Sequence, residues 1–156
     1  MDNYDFFGTF VSAISGDAAI AAWCGARFGT ALTVFADVES EALPARDDMP
    51  YALIHTPGVA KHQERREQIY QIAVDLALDK AALASAAATN LKQPAGIELI
   101  LGLAQLMIDA VKAALPANTV FGYTLSADTL GALPEVHAYL DLDFTTTVTI
   151  AGDPLA

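Results

Sequence analysis

The chain has 156 residues, with 19 acidic side chains against 8 lysines and arginines, a net charge of −11. A surface of that sign repels nucleic-acid phosphates, which argues against sequence-specific DNA recognition; it suits plain solubility, or a passage that DNA must slide through without sticking. One cysteine, Cys24, excludes an intramolecular disulfide and a multi-cysteine zinc site, and no apolar run approaches the roughly 18 residues of a membrane-spanning helix.

The length predicts one domain over residues 1–156, burying roughly two-thirds of its unfolded surface, with residues 151–156 as a flexible tail. The opening MDNYDFFGTF has no basic region of the kind that starts a secretory signal, so cytoplasmic synthesis is the default expectation. From Asn3 to about Ser15 the sequence predicts a helix. Phe6, Phe10 and Ile14 recur every four residues, and Phe7 and Val11 widen the stripe. Gly16 interrupts, and Asp17 is placed to cap a second short helix, Ala18 to Cys24, ended by Gly25. Leu32 to Phe35 reads as an edge strand, and the acidic stretch Asp37 to Asp48 as a loop. A strand from Tyr51 to Thr56 closes at Pro57-Gly58, a turn signal.

Next comes the one basic cluster, Lys61, His62, Arg65 and Arg66, which reads as a hairpin tip between two strands. From Ile69 to Asp79 the residues alternate: Tyr70, Ile72, Val74, Leu76 and Leu78 on one face, Gln71, Ala73, Asp75, Ala77 and Asp79 on the other. Residues 80–93 are alanine-rich without a clear period. A helix follows from Ile97 to Leu115, ended by Pro116 and Asn118, then a strand from Thr119 to Leu125.

Alternation is longest from Val136 to Ile150, with Val136, Ala138, Leu140, Leu142, Phe144, Val148 and Ile150 on the apolar side. Unbroken, such a strand runs about 50 Å, whereas a compact chain of this size is only about 40 Å across. It therefore bends at a bulge or projects and pairs elsewhere. The element order predicts an α+β domain: a mostly antiparallel sheet of four to five strands, two main helices packed on one face, and a long C-terminal strand.

Catalytic chemistry finds little support. There is no G-x-S-x-G, no phosphate-cradling glycine loop and no H-E-x-x-H, and no catalytic, cofactor or metal residue is assigned. His55 and His137 fall on predicted strands; as neighbours they would allow a two-histidine site with a carboxylate, and otherwise they are sheet-surface histidines. Cys24 sits in the apolar run Ala21, Ala22, Trp23 and reads as a buried small hydrophobe. Asp75, Asp79, Asp141 and Asp143 share one face if their strands pair. They are then a solvated face, the lining of an acidic passage, or a divalent-cation site. Lys61, His62, Arg65 and Arg66 form either a solvated loop or a subunit contact, docking on acidic residues of another copy such as Glu39, Glu41, Asp47 and Asp48.

At Gly16-Asp17-Ala-Ala-Ile-Ala-Ala-Trp23, Gly25-Ala-Arg27-Phe28 and Met49-Pro50-Tyr51-Ala-Leu-Ile54, the chain resembles the tail-terminator or tail-completion proteins of long-tailed bacteriophages. The order of elements is similar over nearly the whole chain; the motifs cover about positions 16 to 54 and are short. The resemblance implies a structural protein of a phage or prophage, made in the bacterial cytoplasm and ending in the virion tail. It implies a homo-oligomeric ring, usually of six, that caps the tail tube and contacts the tube protein and a head or neck protein. It brings no enzyme activity, no cofactor and no membrane. Two departures stand out, the long alanine-rich segment and the basic cluster. The neighbouring alternative is a head–tail connector or minor tail protein; from another class, a small-molecule-binding or adaptor α+β domain, which would call for a closed apolar pocket.

Overall fold

The computed structural model describes residues 3–36, 43–55, 58–62, 67–79, 95–116, 119–128 and 135–147. In chain order these form α1 (Asn3–Ser15), α2 (Ala18–Phe28), β1 (Thr33–Ala36), a 3-10 turn (Arg46–Asp48), β2 (Tyr51–Ile54), β3 (Gly58–His62), β4 (Glu67–Asp79), α3 (Ala95–Ala114), β5 (Val120–Asp128) and β6 (Glu135–Thr147). The class is α+β, and the sheet is mostly antiparallel. Its strand order is β1-β2-β4-β6-β5, with β3 joining β4 beside β2; only β1 and β2 run parallel.

β4 and β6 form the spine of the sheet. They pair one-to-one from Glu67↔Thr147 to Asp79↔Glu135 without a bulge. At about 3.4 Å per residue, each spans ~40 Å, which is the width of the body, so over its described residues the long strand has no bulge and is paired along its whole length within the sheet. Residues 148–150, the end of the predicted strand, lie outside the described residues, as does the predicted tail at 151–156. So do residues 37–42 of the acidic loop and the alanine-rich stretch 80–93.

Alternation sorts the spine into two faces. Tyr70, Ile72, Val74, Leu76 and Leu78 of β4, with Val136, Ala138, Leu140, Leu142 and Phe144 of β6, are all buried. They pack with Phe6, Phe10 and Ile14 of α1, Ile20 and Cys24 of α2, and Ile100, Leu103, Met107 and Ile108 of α3 in one core. All three helices therefore cover the same face. The aromatic residues lock α1 onto the spine: Phe6 stacks on Tyr70 at 4.1 Å, and both Phe6 and Phe10 meet Phe144 edge-on. Gly96 lets α3 start hard against β6, since a Cβ there would overlap the Cγ2 of Val136.

Two local expectations are corrected. The second helix does not end at Gly25. It continues to Phe28 and is closed by Gly29, whose φ of 72° supplies the left-handed cap. The extra turn sets Phe28 at 5.8 Å from Trp23 and the Arg27 guanidinium over the Trp23 ring. Asp17 caps the helix as expected, its Oδ1 accepting from the Ile20 N–H at 2.8 Å. The second correction concerns Gly58 to His62, assigned above to a turn and a loop. They form β3, pairing Gly58↔Gln71 through His62↔Glu67, so the described residues contribute six strands to the sheet.

Candidate functional site

With the helices on one side, the functional surface is the other side of the sheet. The register places Tyr51, Leu53 and His55 beside Ala77, Asp75 and Ala73, which in turn neighbour His137, Tyr139 and Asp141. Beyond them lie Asp128, Ser126 and Thr124 of β5. Asp75, Asp79, Asp141 and Asp143 therefore do share one face, as the alternation predicted.

The surface divides along its length. Toward β1 it is apolar: Leu53 and Ala77 are buried although outside the helical core. Phe35 meets Tyr51 edge-on at 6.1 Å, and Tyr139 is 46% exposed. Burial first, then the negative charges of Glu135 and Asp75, push the Tyr51 hydroxyl pKa up, with Tyr139 and Asp48 adding to the effect. At the end of β4, Arg46 donates through Nε and a terminal nitrogen to the two oxygens of Asp79, at 3.0 and 3.2 Å. That bidentate pair ties the 3-10 turn to the strand, and the Asp48 carboxylate accepts from the Ala45 N–H at 2.7 Å within the turn.

Toward the other end the surface opens into a groove of about 440 Å³. His55, Gln71, Thr124, Asp141 and Asp143 supply its polar rim, over a floor that includes Ala73. His55 Nε2 lies 2.9 Å from Asp75 Oδ2, and Gln71 donates from Nε2 to Asp143 Oδ1 at 3.0 Å. These pairs are exposed, so each is worth little to stability.

The two-histidine expectation fails on register. His55 lies beside Ala73 and His137 beside Ala77, on opposite sides of β4 and about 13 Å apart along it. His137 Nε2 instead sits 3.2 Å from Glu135 Oε2. Among the described residues no group of three or more histidine, cysteine or acidic side chains is arranged to hold a metal ion. Cys24 is fully buried. Burial pushes its thiol up to about 11, against a smaller downward pull from Arg27, which leaves it protonated and unreactive at neutral pH.

Of the basic cluster, Lys61 and His62 lie in β3; Arg65 and Arg66 fall outside the described residues. Of the acidic loop proposed as their target, Glu39 and Glu41 also fall outside, while Asp47 and Asp48 belong to the 3-10 turn. Sequence reasoning considered His55 only beside His137, and missed its pairing with Asp75 and that of Arg46 with Asp79, partners 20 and 33 residues apart. Among the described residues no single helix is long and apolar enough to cross a membrane.

The class defined so far is a two-layer α+β domain: among the described residues, three helices lie over one face of a six-stranded sheet. No protein-family model matches the chain, and no curated protein does. Among solved structures it is similar to a chain of the virion of native gene transfer agent (GTA) particle, at 15% identity and a TM-score of 0.49, over 89% of this chain and 92% of that one.

Proposed function

We propose that this chain is a structural, non-catalytic protein of a phage or prophage virion. In this proposal it is a tail terminator that assembles as a homo-oligomeric ring of six on the end of the tail tube and presents a surface to the head or neck. The observation that carries the proposal is the two-sidedness of the sheet. One face is sealed by helices, and the other bears Asp75, Asp79, Asp141 and Asp143 together with no described helix over it. Turned toward the lumen, such a face repels DNA phosphates and lets the genome pass without sticking. The short motifs at residues 16–54 add the family resemblance. A ligand-binding role would call for a closed apolar pocket; the described groove is open and rimmed by polar side chains.

Negative-stain imaging of the purified chain tests the proposal. Rings with a central opening and about six subunits are the expected result. Single small particles at every concentration, with no binding to tube ends, would refute it.

A further inference from the structure

We infer that the open edge of β5 in one copy of this chain pairs, antiparallel, with the open edge of β1 in the next copy; the inference rests on the ring reading above. β5 and β1 stand at the two ends of the strand order, and among the described residues each has a strand on one side only. An open edge presents a row of N–H and C=O groups that templates another strand, and proteins that stay monomeric blunt it with lysine, proline, a bulge or a very short strand. β5 has none of these. Its nine residues, VFGYTLSAD, include no lysine, arginine or proline, and they pair one-to-one with β6 from Val120↔Thr145 to Asp128↔His137 without a bulge.

The side chains on β5 point to the same kind of partner. Val120 is 70% exposed and Tyr123 is 47% exposed. They lie on opposite faces of the sheet: Tyr123 is beside the buried Leu142, whereas Val120 is beside Thr145 on the outer face. A partner docked on either face covers only one of them. A strand laid along the edge covers both, because its own side chains alternate. β1 carries an apolar side chain for each face, Phe35 beside Leu53 on the outer side and Val34 packed against the core on the helix side. Cross-strand apolar pairs of this kind are what stabilise a sheet.

Strand direction makes β1 of another copy a fitting partner. β5 and β4 both run antiparallel to β6, so they run the same way. β2 is antiparallel to β4, and β1 is parallel to β2, so β1 runs opposite to β5. Rotation about a ring axis leaves the sense of each strand along that axis unchanged. The β1 of the next copy therefore meets β5 antiparallel, and the ladder continues across the subunit boundary. Joining one end of the sheet to the other is a head-to-tail contact, the kind that closes a ring when the rotation allows it. It also leaves the acidic face uncovered and turned to the same side in every copy.

Hydrogen exchange with mass spectrometry tests the inference on wild type, comparing the assembled protein with the same chain diluted below assembly. In a free edge strand every second amide points outward without a partner. The expected result is that outward amides of β5 and of β1 exchange at least about tenfold more slowly in the assembly. Val120→Lys with Tyr123→Lys, at two solvent-open positions, gives the edge the charge it lacks. The pair should keep the circular dichroism of wild type, associate at least about tenfold more weakly, and supply the dissociated chain if dilution does not. Rings in which β5 and β1 exchange as fast as in the dissociated chain would overturn the inference and leave the ring standing. A wild-type chain that never self-associates would overturn both.

Discussion

The two faces of β6 come from the same thirteen residues and answer to different physics. On the inner face Val136, Ala138, Leu140, Leu142 and Phe144 are at most 1% exposed, each locked among helix side chains. On the outer face Tyr139, Asp141 and Asp143 are open to solvent, and the partner of Asp143, Gln71, is itself an exposed polar group. Burial makes the inner face costly to alter and therefore specifies the fold. The outer face is energetically permissive, and that freedom lets a dense row of carboxylates persist there.

The largest effect expected from breaking this comparison is at Phe144, which three aromatic rings contact. Phe144→Ala should cost ~3–5 kcal/mol in urea unfolding. Gly96→Ala should cost about 1–3 kcal/mol through overlap with Val136. Combining it with Val136→Ala should cost less than the sum of the two, since the smaller side chain relieves the clash. Asp17→Ala removes the cap of α2 and should cost about 1 kcal/mol. Asp141→Asn with Asp143→Asn, on the outer face of the same strand as Phe144, should change unfolding by less than ~0.5 kcal/mol. A large loss there would mean the register is inverted.

Cys24 sharpens the same contrast through pH. Its folded pKa, about 11, lies above the ordinary 9.0, so the unfolded chain ionises first. The stabilising contribution of the buried thiol is complete below pH 9 and is lost as pH rises from about 9 through 11. Wild type should lose stability over that window relative to Cys24→Ala. A thiol reagent at pH 8 should modify Cys24 only on unfolding; rapid modification of the native protein would contradict its burial.

Much of this was legible in the residues because alternation is a local signal. The buried side of β4 and β6 follows from Tyr70 to Leu78 and Val136 to Phe144 alone, and so does the common face of the four aspartates. β3 was not legible. Gly58, Lys61 and His62 have a loop's composition, and they are a strand because β4 lies alongside them. Gly25 looked like a helix end because nothing local reveals that Gly29 supplies the left-handed residue four positions later. The long strand was judged against the width of the body without its equally long partner. The pairing of His55 with Asp75 and of Arg46 with Asp79 was not legible for the same reason: the partners are distant in sequence and adjacent only once the sheet forms.

The central claim is that the bare acidic face belongs to an assembling subunit, and native mass spectrometry of the wild-type chain across concentration and salt tests it most directly. The account predicts one discrete closed species of about six copies. A monomer at every concentration and ionic strength, including in the presence of tail tubes, would contradict it.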